Sequence, residues 1–385
     1  MKFTCNVKDM NTVCQNLIRI LPAKTSIPSL EGILLEAREG AITMTAYNLE
    51  TGLQTSLSAM SVEEEGSLVL PGKIFANLVH GLSDEAMTVW TKGNNITCHI
   101  TSGSAKFQIQ GMDASEFPEL PVLDEGVSLS LSDSNLRDLI HQTEYAVNQV
   151  ETVKANNGIL LEYSEGTISM TATDGYRIAV GTVKTTNKGL SEGSAILPVQ
   201  AVKETEKLIE QWNKTGGGTM SLTLSDRHVM IPIGTYTLLS RLLDGEFPNP
   251  KAILSMPTNA TAVVDRKTLI QSVERVSLVA QDRFKTPLRC EFSEDSQSLN
   301  LSMSSALGEA SDEVSLSLSG KATFTMGMNY KYLLDALKTI PEDTVELDMS
   351  GSVRPLLLKS AEESEDNKVQ SVHLVCPVRL RNNAN

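Results

Sequence analysis

Residues 40–53 read GAITMTAYNLETGL, and residues 166–179 repeat the pattern as GTISMTATDGYRIA. A fainter third version, QSLNLSMSSALGEA, begins at Gln297. Apolar and polar residues alternate within each version, as in ITMTA, ISMTA and LNLSM, which predicts strands with one buried face. A long-period internal repeat sets the domain organisation of a chain, so the flanking segments are expected to repeat with it.

The flanking segments repeat as well. A short alternating strand, a cap and a helical pattern precede each copy, and a second strand-then-helix unit follows it, beginning at Gly66, Gly193 and Gly320. Asp133 and Asp265 stand where helix N-caps are expected. Apolar residues recur at helical spacing in the first and the last of six predicted helices, at Met10, Val13, Leu17, Ile20, Leu333, Leu334, Leu337 and Ile340.

These patterns predict an α+β fold of three similar domains, each with two helices packed on an antiparallel sheet. A chain of 385 residues is too long for one ordinary core, which fits three domains of the usual size. The Pro-rich stretches EFPELPVLDEG and EFPNPKA mark the boundaries. We therefore expect domains at residues 1–124, 125–250 and 251–385.

Composition limits the location and the cofactors. There is no apolar window long enough to cross a membrane and no signal-peptide pattern at the N-terminus, so we expect a cytoplasmic protein without membrane contact. The five cysteines are scattered without a CxxC pair, which supports neither a disulfide framework nor a zinc site. No metal or organic cofactor is expected.

The formal net charge of −14, taken as a whole, argues against nucleic-acid binding. The charge is uneven, however: the six predicted helices with their flanks have more Lys and Arg than Asp and Glu, while strands and loops are strongly acidic. Helices also tolerate Lys and Arg better than strands do, which accounts for part of the difference. Both interpretations, a basic helical surface for DNA and simple helix preference, remain open at this point.

The repeat, together with three motifs, resembles the bacterial sliding clamp family, the beta subunit of the replicative DNA polymerase III holoenzyme. The motifs are ATDGYRIA in the second copy, DGEFP at residues 244–248 and the CPVRL ending, and the resemblance covers the whole chain. It implies the DNA-clamp fold and a head-to-tail homodimeric ring that encircles duplex DNA without sequence specificity. It also implies that the replicative polymerase, the clamp loader and other partners bind through a short peptide in a pocket between domains two and three.

The resemblance also implies which residues form that pocket. They are Thr173, Gly175, Tyr176, Arg177, Ile178, Pro248, Ile253, Val353, Leu374, Val375, Cys376, Pro377, Val378 and Arg379. Pro377 would turn the last strand out of its sheet, and Arg379 would lie at the rim. Tyr176 stands where the family commonly has His. Cys376 and Val378 replace two methionines common in the family, and Asn156 and Ala252 also depart from its pattern, so we expect a slightly different peptide preference.

DNA contact needs cations directed at phosphates and no base-specific set. The candidates are Lys24, Lys73, Lys203, Lys207, Arg266, Lys267, Arg275, Lys331 and Lys338. For the dimer interface the resemblance implies Phe107 and Ile109 on one side and Leu278 and Val279 on the other. For each of these residues the alternative is an ordinary role, a solvated helix face for the cations and the domain's own core for the apolar residues.

Two other functions were weighed. The five histidines have no HxH or HxxxH spacing, and the sequence contains no Gly-rich phosphate loop or nucleophile elbow, so an enzyme is not expected. A monomeric three-domain adaptor would share the peptide pocket but lack the interface residues at Phe107 and Leu278. The oligomeric state separates the adaptor from the ring.

Overall fold

The computed structural model describes residues 1–93, 96–123, 125–148, 157–187, 189–281, 286–321, 323–362 and 368–380. The helices are α1 Val7–Leu17, α2 Gly72–His80, α3 Asp133–His141, α4 Val199–Asn213, α5 Lys251–Leu254, α6 Arg266–Val276 and α7 Tyr330–Thr339. All six helices expected from the sequence are present, and α5 is an additional short one.

The strands are β1 Lys2–Asn6, β2 Gly32–Arg38, β3 Ala41–Tyr47, β4 Thr51–Ser58, β5 Ser61–Glu64, β6 Gly66–Pro71, β7 Ala86–Thr91, β8 Thr97–Ser102, β9 Ala105–Gln110, β10 Val127–Ser132, β11 Gly158–Ser164, β12 Thr167–Thr173 and β13 Arg177–Lys184. They continue as β14 Gly193–Pro198, β15 Thr219–Leu224, β16 His228–Ile233, β17 Tyr236–Arg241, β18 Ala260–Asp265, β19 Leu288–Ser293, β20 Ser298–Ser305, β21 Gly308–Ser315, β22 Ser317–Gly320, β23 Phe324–Met328, β24 Thr344–Met349, β25 Leu356–Ser360 and β26 Gln370–Val375. The three alternating patterns that reveal the repeat lie in β3, β12 and β20.

Each repeat contains the same order of elements twice: a strand, a helix and then three strands. The first repeat runs β1-α1-β2-β3-β4 and then β6-α2-β7-β8-β9, with β5 as an extra edge strand. The second runs from β10 to β17 around α3 and α4, and the third from β18 to β26 around α6 and α7, with β22 as the extra strand. The α+β fold with two main helices per repeat is confirmed.

The chain divides into two compact units. Unit one, Met1–Ser130 with Lys207–Leu242, contains the sheets β5-β1-β7-β8-β9 and β10-β15-β16-β17-β4-β3-β2-β6. Unit two, Leu131–Glu206 with Leu243–Asn385, contains the sheets β14-β11-β12-β13-β26-β25-β24-β18-β22 and β21-β20-β19-β23. The boundaries of the units differ from those of the repeats because two sheets each combine strands from neighbouring repeats.

Neighbouring repeats are joined by the same kind of antiparallel strand pair. In unit one, β4 of the first repeat pairs with β17 of the second, with Leu53 opposite Leu238. In unit two, β13 of the second repeat pairs with β26 of the third, with Ala179 opposite His373. The strands equivalent to these, β21 in the third repeat and β9 in the first, are sheet edges in the described part of the chain. Each edge leaves a row of backbone groups available for pairing.

The helices pack on the sheets through the apolar faces that the sequence predicts. Met10 and Leu17 of α1 and Phe75 of α2 are fully buried in unit one together with Phe3 of β1. In unit two, Leu333 and Leu337 of α7 belong to a core that includes Leu269 and Val273 of α6. Burying such side chains stabilises a fold by about 1.5–3 kcal/mol each, so the helix–sheet contact contributes substantially to the stability of each unit.

One of the two predicted N-caps is correct. Asp265 caps α6, because its carboxylate accepts a hydrogen bond of 2.7 Å from the backbone N–H of Thr268. The prediction for Asp133 is wrong: the cap of α3 is Ser132, whose hydroxyl accepts from the N–H of Asn135 at 3.1 Å. Asp133 is instead the first helical residue, where a negative charge still favours the helix N-terminus. Ser132 and Asp133 are both residue types that cap helices, so the sequence alone allowed α3 to begin after either of them.

Candidate functional site

In unit two, three segments leave the nine-stranded sheet at the same end. Arg177, the first residue of β13, lies opposite Val375, the last residue of β26, and Val375 lies opposite Leu356, the first residue of β25. The turn before β13, the tail after β26 and the loop before β25 therefore emerge side by side. These segments contain most of the residues predicted for the peptide pocket.

The segment that precedes β18 reaches the same end of the sheet. The backbone N–H of Asn259 donates to the carbonyl of Met349 at 2.8 Å, and the hydroxyl of Ser350 donates to the carbonyl of Pro257 at 2.6 Å. Pro248 and Ile253 lie earlier in this segment, and both are exposed. The sequence-predicted pocket residues are thus placed on segments that meet in one region of unit two.

A tight turn presents Tyr176 to solvent. The side chain of Asp174 accepts hydrogen bonds from the N–H groups of Tyr176 and Arg177 at 2.9 and 3.0 Å. Thr173 accepts from the N–H of Gly175 at 3.1 Å and donates to the carbonyl of Arg177 at 2.9 Å. Gly175 has φ +87°, a left-handed conformation that glycine adopts without strain. With the backbone fixed in this way, the Tyr176 side chain is 64% exposed.

Arg177 points inward and is only 8% exposed. Its Nε donates to the Oδ2 of Asp174 at 3.0 Å, and its Nη1 donates to the Oδ2 of Asp335 on α7 at 2.5 Å. The guanidinium carbon lies 5.1 Å from the ring centre of Tyr145 and 4.4 Å from that of Tyr332. Two carboxylates and two aromatic faces thus surround one cation, an arrangement that suits the planar, delocalised guanidinium.

Further contacts extend from this arginine in both directions. Toward solvent, the ring of Tyr332 stacks on that of Tyr176 with centroids 6.4 Å apart. Toward the interior, the hydroxyl of Tyr145 shares a 2.9 Å hydrogen bond with Nδ1 of His373, which is fully buried. Burial lowers the pKa of His373 to about 3, so its imidazole is neutral at physiological pH, and burial raises the pKa of Tyr145. A continuous set of contacts therefore links the buried sheet to the exposed Tyr176.

The end of the chain is tied to two strands. Strand β26 ends at Val375, and the N–H of Cys376 donates to the carbonyl of Tyr176 at 2.8 Å. The N–H of Val378 then donates to the carbonyl of Gly327 in β23, also at 2.8 Å. Gly327 has to be small, because a Cβ there would lie 2.5 Å from the Val378 carbonyl oxygen. The prediction that the strand leaves its sheet before Pro377 is confirmed.

Burial divides the predicted pocket residues into three groups. Thr173, Arg177, Ile178, Leu374 and Val375 are buried, Cys376, Pro377 and Val378 are half-buried, and Gly175, Tyr176, Pro248, Ile253, Val353 and Arg379 are exposed. The buried group packs inside unit two, whereas the half-buried and exposed apolar side chains are accessible at its surface. Burial, and next the charge of Asp174, raises the pKa of the Cys376 thiol, so the thiol is protonated at neutral pH. Asn156 and the side chain of Ala252 lie outside the described residues.

The sequence analysis missed the residues that hold Arg177. Tyr332 and Asp335 are three positions apart on α7, which places both on the same face of the helix. That spacing is the one available signal, since nothing in the sequence connects these residues or Tyr145 with Arg177. A residue that contacts a peptide directly would be expected to have an accessible charge. The charge of Arg177 is instead paired with Asp174 and Asp335 inside the protein.

Many of the predicted DNA-contacting cations are engaged within the chain. Lys267 pairs with Asp343 at 2.8 Å, Arg275 with Asp312 at 2.5 Å and Lys338 with Glu274 at 2.6 Å. The Nε of Arg266 donates to the carbonyl of Glu342 at 2.6 Å. In contrast, Lys24, Lys73, Lys203 and Lys331 have no carboxylate partner among the described residues, and Lys24 and Lys73 are exposed. The unpaired cations are the better candidates for phosphate.

The predicted interface residues lie in or beside β9 and β21, which are sheet edges in the described part of the chain. Phe107 is in β9 and is 40% exposed, whereas Ile109 is 8% exposed and belongs largely to its own domain. Leu278 is 82% exposed, and Val279 beside it is half-buried. The carbonyl of Val279 accepts from the hydroxyl of Ser305, whose oxygen accepts from the N–H of Leu307, another exposed leucine at the β20–β21 turn. Leu307 was not predicted from the sequence.

Comparison with known families agrees with this architecture. The model of the DNA polymerase III beta subunit N-terminal domain matches residues 1–121, that of the central domain residues 130–249 and that of the C-terminal domain residues 251–377. The chain belongs to the DNA polymerase III beta-subunit family, the sliding clamps. The resemblance noted in the sequence is thereby confirmed, and so is the expectation that the protein is not an enzyme, because the family is non-catalytic.

Relatives match over their whole length. The beta sliding clamp of Synechococcus elongatus is 28% identical, with 99% of this chain and 100% of the relative covered, and that of Staphylococcus aureus is 26% identical, with 98% and 99% covered. The sliding clamp structure from Thermotoga maritima has a TM-score of 0.88 at 26% identity, covering 98% of this chain and 99% of that one. The Bacillus subtilis clamp shares the fold at a TM-score of 0.91 and 23% identity, with 99% of each chain covered.

The described residues contain neither a membrane-spanning helix nor a metal-binding cluster. No helix among them has the length and apolarity needed to cross a membrane. Nor do they contain a group of three or more His, Cys, Asp or Glu side chains placed to hold a metal ion.

Proposed function

We propose that this chain is the processivity clamp of bacterial DNA replication: a head-to-tail homodimeric ring that encircles duplex DNA and tethers the polymerase through a peptide site in unit two. Family membership supports this proposal, and a clamp that works on the chromosome would be located in the cytoplasm. The observation that supports the ring most directly is the way in which the repeats are joined. Strands β4 and β13 each pair with a strand of the following repeat, whereas the equivalent strand β21 of the third repeat is a sheet edge among the described residues. Strand β9 of the first repeat, which is equivalent to the partners β17 and β26, is also a sheet edge there.

The two internal junctions predict the register of the third. Leu53, Ala179 and Ala310 are equivalent, since they lie opposite Ala46, Ala172 and Met303, the last residues of the three repeated motifs. Leu238, His373 and Phe107 occupy equivalent positions in the last strand of their repeats. They lie opposite Ile231, Leu358 and Ile100 in the strand before it. Leu53 pairs with Leu238 and Ala179 with His373, so Ala310 of one copy should pair with Phe107 of the other.

The side chains suit this register. Phe107 would lie on the helix-covered side of the sheet, the side on which α6 packs against β21 and near which Leu278 is exposed. On the opposite face, Lys106 would lie across from Ser311, with the exposed Glu309 and Glu313 as its diagonal neighbours. Long side chains reach such diagonal partners, and opposite charges there are favourable. The register therefore places apolar against apolar and a cation between two carboxylates.

The ring is tested first by light scattering combined with small-angle X-ray scattering. We expect a mass of two chains and a pair-distance distribution with a hollow centre. Phe107→Asp should give monomers, because it places a charge in the apolar side of the junction, whereas Met60→Asp, at another exposed apolar residue of unit one, should leave the dimer intact. A monomeric wild-type chain, or a dimer that is insensitive to Phe107→Asp, would favour the monomeric adaptor or a different interface.

The peptide site is tested by titrating the protein with a labelled peptide of the Gln-Leu-x-Leu-Phe type. We expect Tyr176→Ala and Val353→Asp to weaken binding strongly, because both residues are exposed apolar parts of the site and neither contributes to the core. Removing residues 376–385 should abolish binding and leave the dimer. Unchanged affinity in all three variants would exclude this region as the peptide site.

DNA contact is tested with a matched pair of double variants. Lys24→Ala with Lys73→Ala removes two exposed cations that have no carboxylate partner in the described ranges, and it should weaken retention on DNA and flatten its salt dependence. Lys267→Ala with Lys338→Ala removes two cations that are already paired with Asp343 and Glu274 and should have a smaller effect. Equal effects from both variants would contradict the assignment of Lys24 and Lys73.

A further inference from the structure

The junction of β4 with β17 in unit one begins with the same turn as the junction of β13 with β26 in unit two. The side-chain oxygen of Asn48 accepts hydrogen bonds from the N–H groups of Glu50 and Thr51 at 3.0 and 2.7 Å. The carboxylate of Asp174 accepts from the same positions of its own turn. Leu49 has a φ of +72°, and the glycine at that place in the second turn has +87°. The turn is therefore repeated together with the motif that contains it.

The chain also leaves the sheet in the same way at both junctions. Strand β17 ends at Arg241, whose N–H donates to the carbonyl of Glu50 at 2.8 Å. In unit two the N–H of Cys376 donates to the carbonyl of Tyr176, also at 2.8 Å. Glu50 and Tyr176 occupy the same position of the turn, so the two hydrogen bonds are equivalent. Unit one therefore contains a turn and a chain exit of the kind that forms the proposed peptide site in unit two.

In unit one the surface beside this turn is covered by the segment that ends the first repeat. Gly52 of β4 lies opposite Tyr47 of β3. A Cβ on Gly52 would lie 2.5 Å from Cδ2 of Leu120, so the leucine rests directly on the strand pair. Leu120 also packs against a buried cluster that includes Tyr47 and Phe117, and Phe117 belongs to the same segment as Leu120. Residues 117–120 thus place an aromatic ring and a leucine in the interior of unit one.

The place that Leu120 fills corresponds to a residue of the predicted peptide pocket. Ile178 lies opposite Thr173 next to the second turn, just as Gly52 lies opposite its partner next to the first. Gly52 and Ile178 are therefore equivalent. The glycine leaves room for a leucine of the protein's own chain, whereas the isoleucine has a side chain of its own there. An isoleucine at position 52 would occupy the volume in which Leu120 lies.

We propose that the first junction is a second peptide groove, closed by residues 117–121, which act as its internal ligand. This inference rests on the proposed function of unit two. Leu120 takes the place of a leucine anchor and Phe117 supplies an aromatic ring, the two kinds of apolar side chain that a Gln-Leu-x-Leu-Phe peptide brings to a groove. The internal segment leaves each chain with one open peptide site, the one in unit two.

Covalent attachment gives the internal segment an advantage over any free peptide. A segment joined to its site by a short stretch of chain has an effective concentration on the order of millimolar, so a free peptide at micromolar concentration does not displace it. Either side of the contact can be changed to shift this competition. Leu120→Ala removes most of the anchor, and Gly52→Ile fills the space that the anchor needs.

The test counts peptide sites by calorimetric titration of the full-length chain with a Gln-Leu-Asp-Leu-Phe peptide that has a photoreactive group on its aromatic ring. The wild-type protein should bind one peptide per chain, with photo-crosslinks in unit two. Leu120→Ala and Gly52→Ile should each bind two peptides per chain, with new crosslinks to residues 47–53. The second variant keeps the test decisive if the first folds poorly, because it leaves the segment unchanged and isoleucine favours strands.

Val122→Ala is the matched control, since Val122 follows the same segment and is 81% exposed. It should bind one peptide per chain. The inference is overturned if both groove variants still bind one peptide, with crosslinks in unit two alone, because the first junction then has no affinity for peptide. It is also overturned if the wild-type chain already binds two peptides, one of them at residues 47–53, because the segment then closes nothing. If the wild-type chain and both variants bind no peptide, the proposed site of unit two fails, and the inference with it.

Discussion

Replacing Arg177 with alanine should destabilise unit two strongly. The substitution removes a cation that is 8% exposed and leaves the carboxylate of Asp174, 12% exposed, without its partner. Breaking a buried ion pair from one side costs about 3–5 kcal/mol. Asp335 is 45% exposed and regains water, which lowers this value, whereas the loss of two aromatic contacts adds about 0.5–1 kcal/mol each. We therefore expect a loss of about 3–4 kcal/mol from the free energy of unfolding.

The two tryptophans allow this loss to be located. Trp90 and Trp212 both lie in unit one, so urea unfolding followed by tryptophan fluorescence reports on that unit, while circular dichroism reports on both. In Arg177→Ala the dichroism transition should move to lower urea and develop an early phase that the fluorescence does not show. Arg289→Ala, at an exposed ion pair, should change neither signal by more than about 1 kcal/mol. An Arg177→Ala protein as stable as Arg289→Ala would refute the view that Arg177 has a structural role.

Three further predictions concern titratable groups. Burial lowers the pKa of His373 to about 3, so the unfolded chain binds a proton on this imidazole at higher pH than the folded chain does. The free energy of unfolding should therefore fall as the pH drops below about 6.5. NMR should show a neutral imidazole at pH 5. The hydrogen bond to Glu206 raises the pKa of His141. The stabilisation of the folded chain by protonated His141 is therefore present below about pH 6.5 and is lost as the pH rises through the raised pKa. Glu206→Gln should lower the pKa of His141 measured by NMR. Of the five thiols, Cys376 should react first with a disulfide reagent, because the other four are buried. Its reaction should be slow, because its pKa is raised and little thiolate is present at neutral pH. A bound peptide should slow the reaction of Cys376 further.

Much of the fold can be predicted from the sequence because its signals are local and repeated three times. The alternation in ITMTA, ISMTA and LNLSM predicts β3, β12 and β20, and the helical spacing of Met10, Val13 and Leu17 predicts α1. The pairing of strands between repeats cannot be predicted from such local patterns. Leu53 and Leu238 are far apart in the chain, and nothing in either segment specifies the other as its partner.

The proposed peptide site illustrates the same limit at the level of side chains. The motif around Tyr176 and the chain end at Pro377 are distinctive as short segments, and the structure brings them to the same end of one sheet. The burial of Arg177, in contrast, depends on Tyr145 and Asp335, which lie on two other elements. A sequence shows that an arginine is present, but its role depends on which carboxylates and rings the fold brings to it.

The edge strands explain why pairing between chains should be of one kind only. A chain of three repeats joined at two internal strand pairs leaves one junction strand at each end of the series, β9 and β21, at a sheet edge in the described part of the chain. Such an edge can pair with any available strand. Two β21 strands paired with each other about Ser311 would place Glu309 opposite Glu313 twice, which is unfavourable, and two β9 strands would bring two Lys106 side chains onto one face. Pairing β9 with β21 instead alternates the charges. The charge pattern therefore favours a heterologous contact, and such a contact avoids open filaments only by closing into a ring.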